Sequence, residues 1–161
     1  MTTATLPCSR RLALSFATPV LVACNGHAIA AGSFLALAAD VRIGTEGPFR
    51  IGLNEVKIGL TVPWFAVELA RQRLTPAAFD RSVVGAVMCS PEEAVQAGFL
   101  DRVVPASELE EVSLQAAAVL AELNQAAHAA TKLRARGAAL EAVRAAIESE
   151  LTLEALTGAR E

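Results

Sequence analysis

Residues 19–59, PVLVACNGHAIAAGSFLALAADVRIGTEGPFRIGLNEVKIG, decide the fold of this chain. Within them, residues 20–23 form an unbroken apolar run between a proline and an Asn-Gly pair, which is typical of a buried strand. Residues 30–39 are small or apolar until the chain reaches Asp40, and they predict a buried helix. Residues 41–43 predict a second strand, followed by a loop that leads to Glu55. The order strand, turn, helix, strand predicts an α/β fold.

The predicted helix begins without any bulky side chain. The first N–H groups of a helix lack intrahelical partners, and the helix dipole favours negative charge at that end. A small-residue N-terminus that follows a strand can therefore hold a developing oxyanion. Small residues also allow a helix to pack closely on a strand, and on the residues alone this simpler interpretation is favoured.

Three segments, in this order, resemble a known group of enzymes. They are NGHAIAAGSFLALAADVRIG at residues 25–44, GPFRIGLNEVKIGLTVP at residues 47–63 and SPEEAVQAGFLDRVVP at residues 90–105. Together they resemble the crotonase superfamily, specifically its enoyl-CoA hydratase/isomerase members. The resemblance implies a crotonase-like α/β fold, the ClpP/crotonase spiral. It also implies chemistry on acyl-CoA thioesters, in which two backbone N–H groups polarise the carbonyl and stabilise an enolate.

The resemblance assigns roles residue by residue. The family's Gly-Gly-Gly-like run is Ala30-Ala31-Gly32 here, so Ala31 is the implied donor of the second oxyanion N–H. The position of the family's first catalytic glutamate is Phe34, and the second best matches Glu55. The implied catalytic residues are therefore Glu55 and Ala31, and the implied substrate-binding residues are His27, Ala30, Gly32 and Phe34.

The resemblance also predicts an incomplete fold. Family members begin with strands and a loop that supplies the first oxyanion N–H and much of the wall around the CoA adenine, whereas residues 1–18 resemble only the tail of the helix that leads into the strand at residues 20–23. We therefore expect a truncated chain, with a partial crotonase core over residues 1–106 that lacks the first strands. Residues 107–161 are expected to form a C-terminal helical oligomerisation region.

Composition favours one globular core without a metal. The chain has 161 residues, of which 53% are hydrophobic and 4% aromatic, with a net charge of −3. Cys8, Cys24 and Cys89 are odd in number and lack CxxC spacing, which argues against a disulfide framework or a zinc site. His128 has no neighbour at ligand spacing. We expect no metal and no cofactor other than the CoA of the substrate, and the absence of a basic run argues against nucleic acid.

Two membrane-related alternatives are weaker than the α/β interpretation. Residues 9–24 resemble an export signal that ends in a lipoprotein cleavage site at Cys24. Cleavage there would cut the predicted strand, and the family resemblance continues through it, so we expect a cytoplasmic protein. A membrane span over residues 19–39 is interrupted by polar residues and glycines and is barely long enough.

The second half of the chain is predicted to be helical. Residues 75–87 begin with a Thr-Pro pair, residues 90–98 begin with a capping box and end in glycine, and residues 107–110 form another capping box before a long helical stretch. Breaks are predicted near Asn124 and Gly137.

Two polar groups in the chain have both a simple and a functional interpretation. His27, beside the proposed oxyanion helix, either packs or touches substrate, and packing is favoured. Lys132, Arg134 and Arg136 either face the CoA phosphates or form a solvated helix face, and the solvated face is favoured.

The sequence as a whole predicts an enoyl-CoA hydratase/isomerase-like protein acting on fatty acyl-CoA, weak or inactive in this truncated form. The Ala31 N–H is the expected oxyanion donor and Glu55 the general acid/base. Because Phe34 cannot activate water, hydration should be poor, whereas a single base can move a proton between carbons. The alternative is a non-catalytic remnant that binds acyl-CoA or only assembles with other subunits. The resemblance implies a homo-oligomer, a trimer or a dimer of trimers.

Overall fold

The computed structural model describes residues 13–150. This part of the chain contains five short strands and six helices, and the last two helices follow the last strand. The strands are β1 Leu21–Cys24, β2 Ala28–Ile29, β3 Val41–Thr45, β4 Ile51–Gly52 and β5 Arg102–Val104. The helices are α1 Ala31–Ala38, α2 Trp64–Arg73, α3 Pro76–Val83, α4 Pro91–Ala97, α5 Leu109–Ala121 and α6 Gln125–Glu150. Short 3-10 helices lie at Ala13–Ser15 and Val56–Ile58.

The strands form two parallel sheets, as an α/β fold requires. One sheet has the order β1-β3-β5, and the other pairs β2 with β4. Among the described residues β1 therefore has a strand neighbour on one side only, as expected for an edge. The prediction that this strand is buried was wrong, because Ala23 is exposed and its neighbours in β1 are only half-buried. A parallel strand is buried only when both of its faces are covered.

Helix α1 lies in the core instead. It buries Ala36, Leu37 and Ala38, and burial of a side chain such as that of Leu37 stabilises the fold by about 2 kcal/mol. Residues 19–39 thus contain two short strands and an eight-residue helix, which excludes the membrane-span alternative for this segment. Among residues 13–150, no helix combines the length and the apolar character that crossing a bilayer requires.

Two of the predicted helix boundaries were wrong. Helix α3 ends at Val83 rather than near residue 87, because the chain turns back through Ala86, which has a φ of 50°, and brings Cys89 against Ile51. Helix α5 begins at Leu109 without a side-chain cap, so the predicted capping box at residues 107–110 does not form.

The capping box before α4 was predicted correctly. The Ser90 hydroxyl accepts a hydrogen bond from the Glu93 N–H, and the Glu93 carboxylate accepts one from the Ser90 N–H. Helix α4 ends at Gly98, which is left-handed with a φ of 99°.

The predicted break at Asn124 is present, but the predicted break at Gly137 was wrong because α6 continues through it to Glu150. One glycine inside a helix costs only about 1 kcal/mol. Helix α6 is anchored to the body of the protein on both sides of Gly137, by Lys132 before it and by Leu140 and Val143 after it.

Helix α6 packs along α2 and is joined to the body of the protein by a buried ion cluster, which we call the Asp40 cluster. The Asp40 carboxylate pairs with Lys132 Nζ at 2.6 Å and with Arg136 Nη2 at 2.8 Å, and it accepts the N–H of Val20 at 2.7 Å. Each of the three charged side chains is at most 11% exposed. The interpretation of this basic stretch as a solvated helix face was therefore wrong for Lys132 and Arg136, although Arg134 is exposed.

The far end of α6 contacts the start of α2. Both carboxylate oxygens of Glu150 lie within 3.0 Å of the Trp64 backbone nitrogen and accept its N–H. This N–H is one of the first in α2 and lacks an intrahelical partner. The helix dipole also favours a negative charge at this end of the helix. The C-terminal helix is thus attached to its own chain at both ends.

The Asp40 cluster should contribute measurably to stability. Burial raises the pKa of Asp40, but the hydrogen bonds from Lys132 and the Val20 N–H and the charge of Arg136 outweigh it, so the pKa lies below its ordinary value. We expect Asp40→Asn to lower the free energy of unfolding by about 3 kcal/mol at pH 7, because it leaves two buried cations without an anion. Urea denaturation followed by circular dichroism measures this loss.

The same experiment has a pH dependence and a control. A lowered folded-state pKa stabilises the protein above the unfolded-state pKa, and this contribution is lost as pH falls through the folded-state value. The difference between the parent and Asp40→Asn should therefore shrink in acid. Glu68→Gln removes the more exposed pair with Arg71 and should cost less than about 0.5 kcal/mol. Equal losses in the two variants would contradict the assignment.

Candidate active site

The turn that precedes α1 is held against β4 by backbone hydrogen bonds. The Ala28 N–H donates to the carbonyl of Arg50 at 3.0 Å, and the Ala30 N–H donates to the carbonyl of Gly52 at 3.1 Å. Helix α1 begins at the next residue, Ala31, whose N–H is one of those without an intrahelical partner. Ala31 is also an exposed residue.

Ala30 adopts an unusual backbone conformation. Its φ is 51° and its ψ is −116°, a combination that L-residues populate sparsely. Such strain is retained only where the surrounding structure enforces it, and it is concentrated at functional sites. In this chain it occurs at the position that the family resemblance assigns to the oxyanion run.

Ser33 lies two residues into α1 and is fully buried. Its hydroxyl lies 2.6 Å from the carbonyl of Ala28 and 3.0 Å from that of Gly52, and it accepts the Gly52 N–H at 3.1 Å. This one side chain therefore joins the first turn of α1 to both β2 and β4.

Gly52 must be a glycine for this arrangement. Its φ is 150°, and a Cβ atom there would lie 3.2 Å from Met88 Sδ and 3.3 Å from the carbonyl oxygen of Val87. Both the backbone conformation and the space exclude most side chains. The glycine lets the loop before Cys89 lie directly against β4.

Glu55 lies three residues beyond β4 and is buried, with 5% of its surface exposed. Its backbone carbonyl accepts the N–H groups of Ile58 and Leu60, which fixes the loop around the 3-10 helix. Its side-chain oxygen Oε2 has no hydrogen-bond partner among the described residues, and neither does Oδ1 of the adjacent Asn54. A buried carboxylate oxygen without a donor is costly, so it marks a position where a ligand is expected.

Phe34 and His27 both make aromatic contacts. Phe34 meets Phe65 of α2 edge to face, with ring centroids 5.5 Å apart and an interplanar angle of 81°. His27 contacts Phe49 in the same way at 5.5 Å, and its Nδ1 accepts the N–H of Arg50 at 2.9 Å. These contacts agree with a packing role for His27.

Two open clefts of similar volume lie elsewhere. One of about 630 Å³ runs between β1 and α5, and one of about 690 Å³ is bordered by Arg50, Lys57 and residues 85–88. Neither is lined by Ala31 or Glu55. Residues 13–150 contain no group of three or more His, Cys, Asp or Glu side chains placed to hold a metal ion. The candidate site therefore rests on the turn before α1 and on Glu55 rather than on a cavity.

The structure links the turn before α1 to the strand that precedes Glu55 through Gly52, a residue that sequence reasoning missed. Ala30 is hydrogen-bonded to Gly52, and Gly52 leads within three residues to Glu55. The signal for Ser33 was present in the sequence, because it is the only polar residue in an otherwise apolar helix. The partner of Phe34, Phe65, had no local signal because it comes from another helix.

Comparisons with known proteins identify a family for this arrangement. A family model described as enoyl-CoA hydratase/isomerase matches residues 7–160. A crystal structure of an enoyl-CoA hydratase/isomerase family protein from Pseudomonas syringae superposes with a TM-score of 0.85 at 52% identity. The match covers 89% of this chain and 62% of that chain.

The names of two curated relatives describe different reactions, an isomerisation and a hydration. The human mitochondrial enoyl-CoA delta isomerase 1 is 32% identical over 117 residues, which is 72% of this chain and 39% of that protein. The 2,3-dehydroadipyl-CoA hydratase of Escherichia coli K12 is 29% identical over 147 residues, which is 91% of this chain and 57% of that protein. The match thus spans between about two fifths and three fifths of the length of these three proteins.

Proposed function

This chain belongs to the enoyl-CoA hydratase/isomerase family of the crotonase superfamily, and from this membership we propose that it binds an acyl-CoA thioester at the turn before α1. Within that family we propose that it favours double-bond migration over hydration. The observation that carries the proposal is Glu55, a buried carboxylate with an unpartnered oxygen, close in sequence to the strand that holds the Ala30 turn.

The proposed reaction moves one proton along a 3-enoyl thioester. The thioester oxygen accepts the Ala31 N–H, which stabilises the negative charge that develops when the C2 proton leaves. Glu55 takes this proton as general base. The released pair forms a C1=C2 bond and the carbonyl pair moves onto oxygen, which gives the enolate. When the enolate returns to a thioester, its C1=C2 pair forms the C2=C3 bond and the former C3=C4 pair takes the proton back from Glu55 at C4. Atoms and charge balance, with no other reactant.

Phe34 supports migration rather than hydration. Addition of water needs a second group that activates or orients the water, and the position implied for it carries a phenyl ring packed against Phe65. Migration needs only the one carboxylate. The name of the human relative, an enoyl-CoA delta isomerase, agrees with this proposal, whereas the name of the Escherichia coli relative describes a hydratase.

The first test is removal of the carboxylate. We expect the purified chain to shift the double bond of 3-hexenoyl-CoA slowly, and Glu55→Gln to slow that reaction by about a hundredfold or more, because it removes the only proposed base. Proton NMR of the vinyl signals follows the conversion. Glu46→Gln, which alters an exposed carboxylate in the preceding loop, should leave the rate unchanged. Equal rates for the parent and Glu55→Gln would contradict the proposal.

A second test adds a carboxylate at position 34. The parent should hydrate crotonyl-CoA poorly, and Phe34→Glu should increase hydration, since a positioned proton-transfer group typically contributes about a hundredfold to ten-thousandfold. Burial of the new charge beside Phe65 costs several kcal/mol and reduces the gain. Loss of the enoyl thioester absorbance measures hydration. Phe34→Gln, which has a similar shape but no charge, is the matched control, and equal rates in the two variants would refute the role of position 34.

We also propose that the chain assembles into a homo-oligomer, trimeric by family resemblance, in the cytoplasm. The support is β1, which is an edge strand among residues 13–150, beside helix α5, which exposes large apolar side chains, with Leu114 and Val119 each 64% exposed. Unpaired edges and contiguous apolar surfaces usually become interfaces.

Assembly is tested by light scattering coupled to size exclusion. We expect a mass above that of one chain at micromolar concentration, and a shift towards the single chain in Val119→Lys, because a charge on the exposed face of α5 opposes burial. Glu122→Lys, which changes an already charged and exposed position, is the control. A stable single chain for the parent would count against assembly.

A further inference from the structure

We propose that Ser33 is a positioning residue, whose buried hydroxyl holds the strained turn at Ala30 and thereby keeps the Ala31 N–H in place to polarise a thioester carbonyl. The inference rests on the proposed function, because it concerns the same N–H. It adds a residue that does not touch substrate and acts through the backbone of its neighbours.

The hydrogen bonds of Ser33 close the turn on itself. The hydroxyl donates to the carbonyl of Ala28, five residues earlier, at 2.6 Å. The hydrogen bond therefore closes a loop that runs from β2 into the first turn of α1. The hydroxyl also accepts the Gly52 N–H at 3.1 Å. An alanine in place of Ser33 would suit the apolar surroundings and the helix equally well, so packing alone does not explain the hydroxyl of Ser33.

The conformation of Ala30 needs such an external constraint. With a φ of 51° and a ψ of −116° it lies where a Cβ atom is disfavoured, and it would relax if its neighbours allowed it. Its N–H is held by the Gly52 carbonyl at 3.1 Å, and its own carbonyl accepts the Phe34 N–H at 3.1 Å. Ser33 links the two sides of this arrangement because it binds both Ala28 and Gly52.

The peptide that carries the Ala31 N–H directly follows Ala30. A rotation of this peptide, about ψ of Ala30 with a compensating change in φ of Ala31, therefore turns this N–H and moves the Ala30 carbonyl away from the Phe34 N–H. Loss of the Ser33 hydroxyl leaves the buried Gly52 N–H without its acceptor and removes the bond that closes the turn. We infer that the first effect of removing this hydroxyl is misorientation of the Ala31 N–H rather than loss of acyl-CoA affinity.

The test uses 4-dimethylaminocinnamoyl-CoA, whose absorption band moves to longer wavelength when its thioester carbonyl is polarised. The purified parent should bind this probe with a red shift. Ser33→Ala should lose roughly half of the shift or more, while the dissociation constant changes less than about threefold, since one positioned donor contributes to charge stabilisation more than to binding. Ser82→Ala, a change at a similarly buried serine in α3, should retain the full shift.

A further pair of variants separates positioning from general destabilisation. Glycine adopts a positive φ without strain, so Ala30→Gly combined with Ser33→Ala should recover part of the lost shift. Ser33→Cys keeps the approximate size and a weak donor, should lose less of the shift than Ser33→Ala, and serves in its place if Ser33→Ala does not fold by circular dichroism.

The outcomes separate the two proposals. A parent that binds the probe with a red shift, together with a Ser33→Ala variant that shows the same shift, would overturn the role of Ser33 and leave the proposed function intact. An unchanged shift in Ser33→Cys has this meaning only where Ser33→Ala does not fold. Failure of Ala30→Gly to recover any of the shift would overturn the strain argument. A parent that neither binds the probe nor shifts its band would overturn the proposed function, and the inference with it.

Discussion

The hydrogen bond from the Ala30 N–H to the Gly52 carbonyl, 3.1 Å long, is the constraint on which the candidate site depends. It joins two strands that are only two residues long, β2 and β4, and neither strand would persist alone. Through this contact the start of α1 and the segment that leads to Glu55 become one unit. Gly52 permits the contact because its φ of 150° is one that other residues rarely adopt, and because a Cβ atom there would be tight against Met88 and the carbonyl of Val87.

Helix α1 is fixed at its other end by charged side chains as well as by a backbone hydrogen bond from the Asp40 N–H to the Val20 carbonyl at 2.8 Å. Asp40 follows the helix and is held by Lys132 and Arg136 of α6. Arg73 of α2 donates to the carbonyls of Leu37 and Ala39, which are among those left without partners at the helix end. An eight-residue helix is too short to be stable by itself, so its position is set by these contacts at its two ends. The C-terminal helix, remote in sequence, therefore helps to hold the helix that presents the Ala31 N–H.

Local patterns predicted the elements, while the long-range contacts were not predictable. The order of strand, helix and strand and the capping box at Ser90 follow from residues close in sequence, and the structure confirms them. The pairing of Asp40 with Lys132 joins residues 92 positions apart, so nothing near Lys132 distinguishes it from an exposed lysine such as Lys57. The continuation of α6 through Gly137 was not predictable for the same reason, because it depends on tertiary packing, which helix propensity does not describe.

The buried polar side chains around α1 differ in whether they have hydrogen-bond or ion-pair partners. This difference separates Ser33 and Asp40 from the functional candidate, Glu55. Ser33 has partners for its hydroxyl, and Asp40 has two cations and a backbone N–H. Glu55 is as deeply buried as Lys132 of the Asp40 cluster, yet one of its oxygens has no partner among the described residues.

Other buried atoms in residues 13–150 also lack partners, but they belong to neutral amides, a hydroxyl and a ring nitrogen, at Asn54, Gln72, Ser113 and His128. A carboxylate in that state costs the fold far more than a neutral group does. A leucine would pack at the same position without this cost, which supports the proposed role of Glu55. The proposed proton transfer needs a carboxylate oxygen that the protein leaves unpaired, and among the described residues Oε2 of Glu55 is such an oxygen.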